Sequence, residues 1–237
     1  MQIHEVSQHN TKFWVLDEVY ADFKAAWFDD VQSVQAHSSD DWQSGRQATR
    51  RLNRAGIPMV LRHYWRGGVP AHMTKDSFIF SSYRSSRCYQ ELSLLTVMRQ
   101  LDLPVPEPIA ARCQRRGLLY KADILMREIP NTSTLAQKLV QAPLDDRLWE
   151  NIGKLIRRFH ESGIQHVDLN ANNILIDNSG NIFLIDFDRC KQKPYAKHWA
   201  QAGLQRLERS LQKEKSSNPQ MHYADKMFLL LKQAYAV

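Results

Sequence analysis

The spacing of apolar positions changes character near the middle of this chain. Residues 11–36 carry Phe13, Trp14, Leu16, Val19, Tyr20, Phe23, Trp27 and Phe28 at mixed intervals, which predicts an N-terminal extension, partly helical, packed on the body. Residues 46–66 read as strands. There Ile57, Pro58, Met59, Val60 and Leu61 form a short apolar run leading into Arg62, His63 and Tyr64. Arg66, Gly67 and Gly68 supply a turn, since glycine tolerates positive φ. Phe78, Ile79 and Phe80 then make a short strand. Leu94, Leu95, Met98 and Leu101 recur at three and four residues, the helical period, with Glu91 on the face of Leu94 and Leu95.

Pro104, Pro106 and Pro108 cannot continue that helix, because they lack donors and restrict the residues before them. Strands around 109–112 and 118–126 follow. Leu148, Ile152, Leu155, Ile156 and Phe159 mark one face of a second helix, closed by Gly163. Strands with one helix thus give way to helices, the order of an α+β protein with segregated lobes. The expected division is 1–128, a β-rich lobe with the extension and one helix, and 129–237, mainly helical.

Composition narrows this little further. A chain of 237 residues buries a core without disulfides or metal. Hydrophobic residues at 43% and charged residues at 24% exclude a disordered or fibrous chain. No run of eighteen apolar residues occurs, and Met1, Gln2, Ile3, His4 and Glu5 do not open a secretory signal, so a cytosolic location is expected. Cys88, Cys113 and Cys190 lack metal-ligand spacing and read as reduced thiols.

The net charge of +7 is unevenly spread. Residues 1–45 hold eight acids and two bases, residues 46–90 nine bases and one acid, residues 191–215 seven bases and two acids. Two basic segments suggest a polyanionic partner: a nucleotide, an anionic membrane or, last because no such motif is visible, a nucleic acid. A solvated basic face explains the same pattern.

The chemistry lies in residues 166–188. Ile174–Asp177 and residues 182–186 read as strands around the turn formers Asn178, Ser179, Gly180 and Asn181. A hairpin centred between residues 179 and 180 opposes 177 with 182. It places Asn173 beside Asp186 at the open end, within roughly 5 Å at Cα. An amide oxygen and a carboxylate there form a hard-oxygen pair suited to Mg²⁺. Asp168, five residues upstream, could point to the same place.

This pattern resembles the protein-kinase-like phosphotransferases, whose catalytic loop reads H-x-D-L-x-x-x-N before a metal-binding D-F-G. His166, Asp168, Leu169 and Asn173, then Asp186 and Phe187, match it. The resemblance implies a two-lobed kinase fold around a cleft for ATP. In it Asp168 is the catalytic base, Asn173 and Asp186 hold Mg²⁺, and His166 braces the loop. Val167 replaces the arginine of regulated protein kinases, Asn170 a common lysine, and Asp188 the final glycine. Only 51 residues follow Asp186, too few for a protein-substrate platform, so the C-terminal lobe is short and the acceptor is a small molecule or glycolipid. Upstream, Arg62 ends a strand where such enzymes carry a lysine that grips phosphates, and Glu91 is its natural partner. A surface arginine is the plainer alternative. Gly45 lies where a phosphate-covering loop belongs. The C=O of Arg127 and N–H of Ile129 would meet adenine, with Leu175 and Ile176 as its floor or as ordinary core.

Further segments sharpen the resemblance: Arg62, His63, Tyr64, Trp65, Arg66, Gly67 and Gly68; Ser86, Arg87 and Glu91; the prolines at 104–108; and Asp186, Phe187, Asp188 and Arg189. Together they are similar to the lipopolysaccharide kinase family of Gram-negative bacteria, and within it to the members that phosphorylate 3-deoxy-D-manno-octulosonic acid (Kdo). This implies transfer of the γ-phosphate of ATP to the 4-hydroxyl of Kdo on a lipid A precursor, with Mg²⁺, by a peripheral protein on the cytoplasmic side of the inner membrane. Arg66, Arg87, Arg189, Lys191 and Lys193 are candidates for the acceptor or the anionic surface, with Trp65 and Trp199 at headgroup level. No nucleic acid and no obligate protein partner is expected. Rival readings are a heptose or aminoglycoside kinase of the same fold and a non-catalytic nucleotide-binding scaffold.

Overall fold

The computed structural model describes residues 1–29, 49–66 and 76–236. It is a mixed α/β structure of antiparallel sheets and helices in two compact units: Met1–Val97 with Pro106–Glu128, and Met98–Val105 with Ile129–Val237. Gly45 and the turn at Gly67 and Gly68 lie outside the described residues.

The first unit is built on one antiparallel sheet. Its strands are β1 (Ile3–Gln8), β2 (Thr11–Leu16), β3 (Thr49–Arg54), β4 (Ile57–His63), β5 (Phe78–Ile79), β6 (Pro108–Arg116) and β7 (Leu119–Arg127). They run in the order β1-β2-β6-β7-β4-β3, with β5 paired to β7. The extension therefore departs from the mixed-period expectation. It enters the sheet as β2 beside β6, and among the described residues its helical part is two 3-10 turns, Asp17–Val19 and Ala25–Phe28. The reason is that β2 is covered on both faces, which blurs the alternation that marks a strand. Phe13 and Val15 pack with Trp27, Phe28, Met59, Leu61 and Leu125, while Trp14, on the opposite face, lies 4.8 Å from the Tyr89 ring.

Tyr89 belongs to α1 (Arg87–Gln100), which therefore covers the second face. The β3–β4 turn uses Ala55 and Gly56, both at positive φ, as a two-residue hairpin requires. Strand alternation then directs Met59 and Leu61 to one face and Arg62 to the other, towards α1. Helix α1 stops one residue short of Leu101. Asp102 takes a left-handed φ of 54°, its N–H reaches Arg99 O and Leu103 N–H reaches Met98 O. This Schellman closure turns Leu101 out to solvent.

The second unit holds β8 (Thr132–Thr134), α2 (Leu135–Gln141), α3 (Asp146–Glu161), β9 (Ile164–Gln165), β10 (Ile174–Asp177), β11 (Ile182–Leu184), β12 (Lys191–Gln192), α4 (Lys197–Ser217) and α5 (Asp225–Ala236). Asp145 caps α3 by accepting from Leu148 N–H at 2.7 Å. The buried face of α3 is Trp149, Ile152, Gly153, Ile156, Phe159 and His160, wider than the leucine and isoleucine pattern suggests. Gly153 is there because α5 passes so close that a Cβ would sit 2.2 Å from Leu231 O.

The β10–β11 hairpin differs in register from the expectation. Ile174 faces Leu184, Leu175 faces Phe183 and Ile176 faces Ile182, so the turn takes five residues where four were expected. Asp177 explains the extra one. Its carboxylate accepts from Ser179 N–H, Asn181 N–H and Asn181 Nδ2, an arrangement that takes Asp177 out of the pairing with β11, while it stays paired with Thr132 of β8. The second strand also ends at Leu184, two residues earlier than expected.

Candidate active site

Arg62, at the end of β4, and Glu91, on α1, are both buried and form an ion pair. Tyr64 completes a triangle. It is on the same strand face two residues on, accepts from Arg62 Nη2 at 3.2 Å and donates to Glu91 Oε2 at 2.6 Å. Burial, and then the Glu91 charge, push the Tyr64 phenol well above its ordinary pKa, so it remains a donor. The expectation gave Tyr64 no part in the Arg62–Glu91 pair; the signal available was its period-two spacing from Arg62.

A second set of charges in this unit forms a chain across the opposite sheet face. Arg112 pairs with Asp29 and Asp123, Asp123 with His63 Nδ1 at 2.6 Å, and His63 with Asp76 at 3.4 Å. Arg66 is exposed beyond β4 and Arg87 lies over the Phe78 ring at 4.4 Å. Trp65 is partly exposed, edge-on to His63. Arg127 Nε meets Glu107 at 3.0 Å, and its N–H bonds to Glu107 O. The first unit ends at Glu128; the second resumes at Ile129, whose carbonyl accepts from the Thr132 hydroxyl.

In the second unit the segment between β9 and β10 is tied down at many points. His166 is buried and lies 4.8 Å from the Phe187 ring. Its Nδ1 accepts from Asp168 N–H at 3.2 Å, so Nε2 carries the proton and donates to Ile185 O at 2.9 Å. Burial holds this imidazole below its ordinary pKa, which keeps it neutral. Asn170 Oδ1 accepts from Asn172 and Asn173 N–H, and its Nδ2 donates to Asp168 O. Asn173 Nδ2 also donates to Asp168 O, at 2.9 Å, which commits the amide nitrogen inward and leaves Oδ1 as the oxygen that can act as a ligand. Buried Leu169 anchors the loop from below. The Asp168 side chain points out, 56% exposed, from a backbone that is fixed.

Asp186 does not sit opposite Asn173. Ile185 does, its N–H donating to Asn173 O at 3.0 Å. Asp186 follows in a left-handed conformation, φ 65°, which turns the chain out of the hairpin. Phe187 is buried against Phe159. Arg189, exposed and also left-handed, has its Nε 3.9 Å from Asp188. Lys191 is exposed on β12. Trp199 is buried among His160 and Tyr195 and cannot serve as a headgroup anchor; Lys193 lies 5.4 Å over its ring. Leu175 is partly buried and Ile176 fully, both in β10.

The expectation gave neither α4 nor Cys190, read only as a reduced thiol, a part in this loop. Cys190 Sγ accepts from Val167 N–H at 3.3 Å. From α4, Arg206 reaches Asp168, Ser210 Oγ accepts from Ala171 N–H, and Glu214 accepts from Asn172 Nδ2. Their four-residue spacing was visible in the sequence, but nothing local says which loop such a face meets.

A neutral, braced imidazole, an outward carboxylate, an amide oxygen and a second carboxylate are groups that a group-transfer site can use. Comparison with known proteins names the chemistry as phosphoryl transfer to a hydroxyl group. Residues 29–232 match the model of the lipopolysaccharide kinase (Kdo/WaaP) family. A 3-deoxy-D-manno-octulosonic acid kinase of Vibrio parahaemolyticus is 34% identical over 98% of this chain and 97% of its own. One from Vibrio cholerae is 39% identical over 79% of this chain and 85% of its own, and one from Mannheimia succiniciproducens 45% identical over 67% and 68%. The chain belongs to the lipopolysaccharide kinase family.

Proposed function

We propose that this protein transfers the γ-phosphate of ATP to the 4-hydroxyl of Kdo on a Kdo-bearing lipid A precursor. The observation that carries the reading is the Asp168 loop, with its carboxylate outward and its backbone locked, in a chain matching Kdo kinases along nearly its whole length. The 4-hydroxyl is the position the family resemblance implies.

The two units take the roles of the lobes of a protein-kinase-like fold. Arg62, held by Glu91 and Tyr64, grips the nucleotide phosphates. The backbone at Arg127 and Ile129 meets adenine. Asp168 accepts the proton of the attacking hydroxyl and orients its oxygen towards phosphorus. His166 stays neutral and holds both the loop and the hairpin end.

The donor chemistry fits Mg²⁺: one amide oxygen at Asn173 and a carboxylate at Asp186 are hard ligands, few in number, as this ion takes beside phosphate. Among the described residues no three His, Cys, Asp or Glu side chains converge on one metal. When bound, Mg²⁺ neutralises phosphate charge.

Arg66, Arg87 and Arg189 are proposed acceptor contacts. Among the described residues no helix is long and apolar enough to cross a membrane. Lys191, Lys193 and exposed Tyr195 offer cations and a ring to an anionic inner-membrane surface.

The test is transfer of labelled phosphate from Mg·ATP to the Kdo-bearing precursor beside the same precursor without Kdo. Label on the Kdo form alone is expected. Label on neither form, with Mg·ATP still bound, would move the acceptor to another sugar.

A further inference from the structure

Helix α4 runs along the loop that carries Asp168, and it meets that loop with three side chains spaced four residues apart. Glu214 accepts from Asn172 Nδ2 at 2.9 Å, and Ser210 Oγ accepts from Ala171 N–H at 3.1 Å. These two fasten the loop. The third, Arg206, places Nη1 3.5 Å from Asp168 Oδ1. Both side chains of this pair are about half exposed, 49% and 56%, where an ion pair adds little to stability. A guanidinium there has its value in the chemistry beside it.

The loop has no cation of its own. Residues 166–173 contain neither lysine nor arginine. Asn170, two positions after Asp168, is committed to the turn through both ends of its amide. Phosphoryl transfer spreads negative charge over three equatorial oxygens of the moving group. The base must be within hydrogen-bond reach of the attacking hydroxyl, which itself must approach phosphorus in line. A long, half-exposed cation beside the base is therefore placed to reach those oxygens.

We infer that Arg206 is a catalytic residue, supplying from α4 the guanidinium that binds the γ-phosphoryl oxygens as charge builds on them. This rests on the assignment of Asp168 as the base. In the step, the acceptor oxygen bonds to the γ-phosphorus while the bond from that phosphorus to the β,γ-bridging oxygen breaks. The electron pair of that bond leaves with the nucleoside diphosphate, and the hydroxyl proton passes to Asp168. Arg206 gives up Asp168 and takes two phosphoryl oxygens, a geometry its planar fork matches and a lysine does not.

The test compares Arg206→Gln, Arg206→Lys and Asp168→Asn in the full-length chain. Arg206→Gln is expected to lower kcat about 1000-fold, the scale of an arginine acting on a transferring phosphoryl group, with both KM values within about threefold, because the contact forms only in the transition state. Arg206→Lys should recover part of the loss. Affinity for Mg·ADP with aluminium fluoride, a mimic of the moving phosphoryl group, should fall in Arg206→Gln while Mg·ATP affinity and Tm hold. With Asp168→Asn inactive, a loss of kcat below tenfold in Arg206→Gln, or a raised acceptor KM at unchanged kcat, overturns this inference alone. An active Asp168→Asn overturns the loop assignment beneath it.

Discussion

Asn173 is bonded across the open end of the β10–β11 hairpin to Ile185, and Asp186 lies one residue further, in a left-handed turn. The metal pair proposed for Mg²⁺ is therefore one that a turn of the chain would make, and not two facing strand positions. Asp186→Ala is expected to lose metal-dependent ATP binding, and Asn173→Ala to weaken it. Titration calorimetry with and without Mg²⁺ checks this; normal metal-dependent affinity in Asp186→Ala would refute the ligand role.

Asp168→Ala should lower turnover by at least about 100-fold, the lower end of what general base catalysis supplies. The Asp168 carboxylate makes no hydrogen bond that the loop needs, since the turn is held by backbone groups, Asn170 and α4. Nucleotide binding and Tm should therefore survive. Single-turnover kinetics beside ATP titration decide it, and turnover at the wild-type rate would remove Asp168 from the mechanism.

Arg62→Met would leave Glu91 charged and buried without its guanidinium. The expected loss is about 3–5 kcal/mol, the usual result of breaking one side of a buried ion pair. The double variant Arg62→Met with Glu91→Leu should recover most of that stability and none of the activity. Urea unfolding and phosphate transfer on the same samples separate the two effects. Recovery of activity in the double variant would take Arg62 out of phosphate binding.

Gly153→Ala tests how closely α3 and α5 pack. An added methyl would meet the Leu231 carbonyl at 2.2 Å, and backbone cannot step aside as a side chain does. The cost should be about 1–3 kcal/mol or somewhat more. An unchanged urea midpoint would mean that the helices sit further apart.

Acid should weaken the second unit through its buried imidazoles. Burial, then the nearby His166, lower the His160 pKa to about 4, and His166 is lowered too. An unfolded histidine titrates near pH 6.5, so between those values the unfolded chain binds more protons and stability rises with pH. The contribution of His160 is complete above about pH 6.5 and drains away as pH falls towards 4, by up to about 3 kcal/mol. His160→Gln should flatten that slope in urea midpoints measured from pH 7 to 4.5. A slope identical to wild type would assign the acid sensitivity to other groups.

Local pattern carried much of this molecule. The strands of β4, β6 and β7 followed from apolar runs and prolines, and α1 and α3 from their period. Expectation missed where burial on both faces removes periodicity, as in β2, where four consecutive side chains are buried. It missed again at the C-terminal end of α1, where a left-handed aspartate overrode the apolar spacing of Leu101.

For the site, the sequence alone determined which groups are available: an aspartate, an asparagine and a second aspartate at kinase spacing, and an arginine on a strand with a glutamate on the next helix. These are short-range relations, read from one loop, one hairpin and one helical face. Only the tertiary structure decided the rest. Asp177 moved the hairpin register by one because its carboxylate found three donors within its own turn. Tyr64 became the third member of the Arg62–Glu91 pair because α1 packs on that face of the sheet. Arg206 came to Asp168 from 38 positions away because α4 lies along the loop. Contacts between distant segments are chosen by packing, and no local period encodes them.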